Sequence, residues 1–152
     1  MTADREAADF EIRPVTSADD WRRAMAIRQR VFVEEQACPP EEEFDGLDPA
    51  CRHVLGWIGR EAVATARWRE VPWEGRRAAK LERFAVLPEH RGGGRGRALV
   101  AWVIADARAA GYAVLVLHAQ AHLERFYAGF GFAARGERFV EASIPHLLMV
   151  NG

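Results

Sequence analysis

The chain has 152 residues, 21 lysines and arginines against 22 aspartates and glutamates, a net charge of −1 and 49% hydrophobic residues. That is one domain's length with enough apolar residues for a full core, and the near-neutral charge excludes the broad basic surface of a nucleic-acid binder. No apolar run nears the roughly eighteen residues of a membrane-spanning helix. Residues 1–9 are polar and acidic, without the basic and apolar regions of a signal peptide. They are expected to be an unordered lead-in to a single cytoplasmic domain over residues 1–152. Cys38 and Cys51 fit no metal-ligand spacing and are expected to be reduced thiols.

In chain order, residues 10–14 read as a first strand. Thr16 or Ser17 can cap a helix with Asp19 and Asp20 in its first turn and Trp21, Met25, Ile27, Val31 and Phe32 at helical spacing. Residues 34–50 are acidic and broken by Pro39, Pro40, Gly46 and Pro49, so they read mostly as a solvated loop. His53 with Asp45 and Asp48 is likewise read as solvated and not as a metal triad. Residues 52–58 and 61–70 form a hairpin turning at Gly59-Arg60, and 76–87 hold the fourth strand. Residues 96–110 form a helix with Leu99, Val100, Val103 and Ile104 inward, stopped by Gly111. Residues 113–119 are almost continuously apolar, the mark of a central strand. A short helix over 123–129 and strands over 132–140 and 147–150 complete the order βαβββαβαββ. This predicts an α/β fold, a mixed central sheet with helices on both faces.

The segment between the fourth strand and the second long helix carries the strongest functional signal. It reads Arg91-Gly92-Gly93-Gly94-Arg95-Gly96-Arg97, a glycine loop opening a helix. Such a loop leaves backbone N–H groups unpaired at the positive end of the helix dipole, which suits a phosphate-bearing ligand. It is not a Walker loop, because Arg97 and Ala98 follow Gly96 where lysine and a hydroxyl residue are required. Nor is it a dinucleotide fingerprint, because Leu99 stands where glycine or alanine is needed. Arg91, Arg95 and Arg97 form a local cationic patch able to add charge to a phosphate.

The spacing Arg91-x-x-Gly94-x-Gly96 after a strand instead resembles the pyrophosphate loop of the GNAT superfamily, acyltransferases that use acyl-coenzyme A. Phe126-Tyr127-x-x-Phe130-Gly131-Phe132 resembles the helix after the fifth strand in that superfamily. Three further patterns are similar to its ElaA/YjcF-like branch: Arg28-x-Arg30-Val31-Phe32-Val33-x-Glu35-Gln36, His118-Ala119-Gln120-Ala121-His122 and Glu141-x-x-Ile144-Pro145-His146-x-x-Met149. The resemblance covers residues 27–150.

It implies the GNAT fold, acetyl-CoA as the cofactor, and transfer to a small-molecule or peptide amine, with no nucleic acid or membrane partner. It also implies a homodimer. By position, Tyr127 lies near the coenzyme A sulfur and is the expected general acid. The backbone of Phe84, Ala85 and Val86 is expected to pair with pantetheine, one N–H there polarising the thioester carbonyl. The loop from Gly92 through Gly93 and Gly94 to Gly96 is expected to hold the pyrophosphate. For the base that takes the amine proton, Glu82, His118, His122, Glu141 and His146 are candidates. Glu82 and His118 are expected as catalytic, and Glu141, His146 and His122 as acceptor-binding. Two-residue alternation puts Glu82, Phe84 and Val86 on one face. The glutamate that serves as base in several GNAT enzymes falls, by register, at Lys80 here, a departure from the pattern. Trp57, Trp68 and Trp73 are open between a pocket and a subunit contact. Two other readings fit the sequence. One is a module that binds acyl-CoA and transfers nothing. The other resembles acyl-homoserine-lactone synthases, which share the Arg-x-x-Val-Phe start but use acyl carrier protein.

Overall fold

The computed structural model describes residues 9–152; the lead-in expected over residues 1–9 therefore falls almost wholly outside the described residues. Seven strands form one mixed sheet in the order β1-β2-β3-β4-β5-β7-β6. They are β1 (Phe10–Pro14), β2 (Arg52–Ile58), β3 (Glu61–Trp73), β4 (Arg76–Val86), β5 (Val114–Gln120), β6 (Ala133–Glu141) and β7 (Ile144–Asn151). Two long helices cover the sheet: α1 (Ala18–Arg28) and, after the short α2 (Pro40–Glu43), α3 (Arg95–Ala109); α4 (Glu124–Ala128) follows β5.

Ser17 caps α1, its hydroxyl accepting from the Asp20 N–H at 3.0 Å, which satisfies one of the orphan donors of the first turn. Past Arg28 the helix widens into a π-helix, Gln29–Glu35. The register of the ladders shows which face each helix covers. Trp68 faces α3, its indole N–H bonding Asp106 at 2.9 Å, and Leu81 opposite it shares that face. Arg67 and its neighbour His53 face α1, where Trp21 meets the imidazole edge-on. Leu99, Val100, Val103 and Ala107 of α3 pack into the same core as Leu55, Val63, Leu115 and Leu117 of the sheet. Trp57 and Trp68 belong to this core, whereas Trp73 sits on a smaller cluster with Val114, Val116 and Val150.

Three features depart from the sequence reading. β3 and β4 run on to a two-residue turn at Glu74 and Gly75, both left-handed (φ 46° and 74°), the backbone that matches strand twist in a hairpin. β6 and β7 turn just as tightly at Ala142 and Ser143 (φ 51° and 65°), so β7 begins at Ile144 and takes in Pro145. Finally, β4 bulges. Arg67 pairs with Glu82 and Thr65 with Ala85, so Arg83 and Phe84 together oppose the single residue between. Arg83 itself is left-handed, φ 61°. The extra residue breaks the alternation: Lys80, Glu82 and Ala85 share the α1 face with Arg67 and Arg69, while Val86 falls on the α3 face with Leu81. Glu82 is thus not on the face of Val86, as strict alternation predicts. A bulged strand bends, and β4 pairs with β5 only from Ala78 to Lys80, opposite Val114 to Val116. Beyond that the two parallel strands part.

Candidate active site

The parted strands open a cleft of about 890 Å³, lined by residues of the glycine loop, of α1's extension and of β6 and β7. Because the β4–β5 ladder stops at Lys80, Phe84, Ala85 and Val86 have no strand partner toward β5; on the other side Ala85 and Val86 pair with Thr65 and Ala64 of β3. Gly92, Gly93 and Gly94 all have positive φ (93°, 65° and 80°), and Gly94 is the left-handed N-cap of α3, with no side-chain cap and no acidic residue in the first turn. The N-terminal turn therefore faces outward with its amides uncapped, the electrostatics of an anion site.

The three arginines of this loop have separate jobs. Arg91 grips Glu35 through two bonds of 2.6 Å and the Val86 carbonyl at 3.0 Å, so it braces the loop against the π-helix. Buried Arg95 donates to the His90 carbonyl at 2.9 Å. Arg97 is exposed and lies over Phe126 and Phe130, 5.9 and 5.4 Å from the ring centroids.

Tyr127 lines the cleft from α4, its ring among Phe84, Phe126 and Phe132. Burial pushes its phenol up to about 12, so it keeps its proton at neutral pH. On the sheet's α1 face, His118 Nδ1 lies 3.0 Å from Glu141 Oε1. A carboxylate only accepts, so Nδ1 carries the proton of this contact. The hydrogen bond from His118 holds the Glu141 carboxyl below its ordinary value. The second Glu141 oxygen is 3.7 Å from His146 Nε2, and His146 Nδ1 donates to the Ile144 carbonyl at 2.7 Å. Phe139 packs against both imidazoles. The tight Ala142-Ser143 turn is what brings Glu141 back over His118. His122 is exposed on the cleft rim. The site residues expected from sequence thus converge in one cleft, apart from Gly93, Gly94, Arg95 and Arg97, which lie behind or outside its lining.

Glu82 has a different setting. Its carboxylate meets Arg69 Nε at 2.8 Å, Arg67 Nη2 at 3.3 Å and Lys80 Nζ at 3.4 Å. Burial pushes this carboxyl up, but the charges of Arg67, Lys80 and Arg69 outweigh burial and hold it below its ordinary value. Such a carboxylate is ionised and weakly basic.

Behind it lies a buried ionic network that the sequence does not announce. Arg28, 1% exposed, donates to Glu43 at 2.6 Å and Asp48 at 2.7 Å. Arg67 reaches the same Asp48 oxygen at 2.7 Å and Asp45 at 2.8 Å. Arg83 pairs with Glu43 at 3.0 Å and Asp45 at 3.4 Å. The acidic loop is therefore solvated only in part: Glu41 and Glu42 are exposed, whereas Glu43 and Asp48 are buried counter-ions, and His53 bonds the Asp48 carbonyl at 3.0 Å. Other contributors also escape sequence reading. Gln36, at the end of the π-helix, accepts from Gln120 of β5 at 3.1 Å, bridging one side of the cleft. Cys38 also lines the cleft, but burial pushes its thiol up, away from nucleophilic thiolate. Neither cysteine forms a disulfide.

A sheet split between parallel β4 and β5, with a glycine loop feeding the split, defines a class. Residues 19–132 match the model of the acetyltransferase (GNAT) family, and the chain belongs to that family. It is 36% identical over 133 residues to the Bacillus subtilis protein described as uncharacterized N-acetyltransferase YjcF, covering 87% of this chain and 92% of that one. The crystal structure of Escherichia coli ElaA superposes with a TM-score of 0.81 at 30% identity, covering 94% of this chain and 99% of that one. An acyl-CoA N-acyltransferase from Pseudomonas aeruginosa gives 0.81 at 28% identity, covering 95% and 99%. Within the family the chain falls in the ElaA/YjcF-like branch, and it is an acyl-CoA-dependent acetyltransferase. No helix among the described residues is long and apolar enough to cross a membrane.

Proposed function

We propose that the protein transfers an acetyl group from acetyl-CoA to a primary amine by direct attack, with Tyr127 as general acid and His118, held by Glu141, as general base. The observation that carries this reading is the convergence of a proton-bearing phenol and a carboxylate-held imidazole on the split between β4 and β5. The thioester of acetyl-CoA supplies the activated acyl group. The residues present fit that ligand: a glycine-rich helix start without a side-chain cap for a pyrophosphate, with Arg97 beside it, and a stretch of β4 from Phe84 to Val86 with no β5 partner for an extended amide chain. An N–H of Phe84 or Val86 serves as the donor to the carbonyl oxygen.

An amine with a pKa near 10.4 is only about 0.04% neutral at pH 7, which costs roughly 4.6 kcal/mol before attack. His118 Nε2 accepts that proton, and Glu141 stabilises the imidazolium that results. Glu82, held by three cations, keeps its charge and takes no proton in this scheme. Tyr127 gives its proton to the departing sulfur. No acyl-enzyme is needed, in keeping with the raised thiol of Cys38. His146 and His122 line the acceptor side.

Two measurements test the reading. In calorimetric titrations, acetyl-CoA and CoA are expected to bind at micromolar concentration and NAD not at all. Gly94→Glu, which puts a strained side chain and a negative charge at the α3 N-cap, is expected to weaken CoA-ester binding by about 100-fold or more. A folded wild-type protein that binds no CoA ester would sink the proposal. His118→Gln is expected to lower kcat/KM for the amine about 100-fold with acetyl-CoA affinity unchanged. The deficit should narrow as pH rises and neutral amine becomes abundant; a pH-independent deficit would assign His118 a packing role instead.

A further inference from the structure

The acceptor side of the cleft holds two cations on a single carboxylate. Three of the network's carboxylates, Glu43, Asp45 and Asp48, are matched by Arg28, Arg67 and Arg83. Glu82 meets Arg69 and Lys80 together, and Arg67 also leans on the same carboxylate. Arg69 spends only Nε on Glu82, and among the described residues its terminal nitrogens make no further hydrogen bond. The ion-pair partner of Lys80 among the described residues is Glu82, at 3.4 Å. Both side chains are largely withdrawn from solvent, 22% and 17% exposed, yet both line the cleft. Two cations that share one carboxylate in such a setting leave donors for an anion.

The opposite wall has the reverse character. The ladder puts Lys80 opposite Val116, and His118 follows two residues on, on the same α1 face. His146 opposes Gln120 on that face as well, and Glu141 of β6 shares it through the Phe139–His146 pair. Glu141 feels the charge of Lys80 across the gap. A cationic pair therefore faces a carboxylate with its two imidazoles, one diagonal step of the sheet apart, about 8 Å between Cα atoms for an unsplayed ladder.

We propose that the acceptor is an amine that also bears a carboxylate, an amino-acid-type zwitterion, with its carboxylate bound by Arg69 and Lys80 and its amine directed to His118 and Glu141. This deepens the acyltransferase reading and rests on it. Arg69 and Lys80 are then the residues that set acceptor specificity, and the departure at Lys80 from the family's glutamate becomes functional. A free diamine would instead set its second cation against Arg69 and Lys80.

The test is steady-state CoA release with matched pairs: L-lysine and cadaverine, L-phenylalanine and phenethylamine, L-tryptophan and tryptamine, β-alanine and ethylamine. In the preferred pair the amino acid is expected to exceed its decarboxylated partner in kcat/KM by roughly tenfold or more, the worth of a charge-assisted contact, mostly through KM. Arg69→Gln and Lys80→Met should each shrink that ratio toward one, and Lys80→Glu should reverse it, with acetyl-CoA affinity by calorimetry unchanged and each variant shown by circular dichroism to be folded at the assay temperature. Arg69→Gln keeps the result interpretable if Lys80→Glu fails to fold. A protein that binds acetyl-CoA but acetylates none of the amino acids, or prefers the decarboxylated partners, overturns the proposal. Failure to bind acetyl-CoA removes the acyltransferase reading, and this proposal with it.

Discussion

Tyr127→Phe is expected to lower kcat about 100-fold or more while leaving the dissociation constant of acetyl-CoA within a factor of two to three. The ring is fixed by Phe84, Phe126 and Phe132, so the substitution removes only the hydroxyl and leaves no cavity. Burial holds that hydroxyl protonated well past neutral pH, and without it the sulfur departs as an unassisted thiolate in a partly desolvated cleft. Single-turnover measurement of CoA release separates this step from product dissociation. A kcat within twofold of wild type would show that Tyr127 packs without donating, and the sulfur would then take its proton from water.

Arg28→Ala is expected to cost about 3–5 kcal/mol of unfolding free energy, a large share of the ordinary 5–15 kcal/mol. The guanidinium is 1% exposed, and its removal leaves buried Glu43 with Arg83 alone and Asp48 with Arg67 alone. Urea denaturation followed by circular dichroism measures this, and a loss below about 1 kcal/mol would show that water replaces the pair. The same network predicts acid sensitivity. The Asp45, Asp48 and Glu82 carboxyls are pushed up by burial, but the arginine contacts win and hold all three below their ordinary values of 3.8 and 4.5. Their contribution is complete above that range and is lost as pH falls below it through the depressed values. Glu43 runs the other way: burial lifts its carboxyl, so it takes up a proton first and offsets part of the loss. The net expectation is a steep fall in wild-type stability below about pH 4, blunted in Arg28→Ala.

Much of the frame is legible in the sequence because its signals are local. Ser17 with Asp20, the glycine loop before α3 and the apolar run of β5 each declare themselves within a few residues. The elements that shape the cleft do not. A left-handed arginine in mid-strand has no local signature, so the bulge at Arg83 is invisible to alternation, and with it the faces of Glu82 and Val86. Ala142-Ser143 lacks the Asn-Gly chemistry of a tight hairpin, and Pro145 reads as a strand breaker, which hides the turn that carries Glu141 to His118. The ion pairs of Arg28 span 15 and 20 residues, and a run of glutamates looks the same whether it meets water or buried arginines. The individual catalytic candidates were accessible as residue types in motifs; their pairing was not.

The bulge at Arg83 is held in its left-handed backbone by an acidic turn some forty residues earlier, through Glu43, Asp45 and the carbonyls of Glu42 and Glu43. The turn that lines one wall of the cleft is thus also the clamp on the bulge that bends β4 away from β5. Replacing residues 40–48 without these anchors is expected to release Arg83 from its left-handed backbone, and the bend of β4 with it. A graft of that loop alone therefore alters one wall of the cleft and the opening between β4 and β5 together.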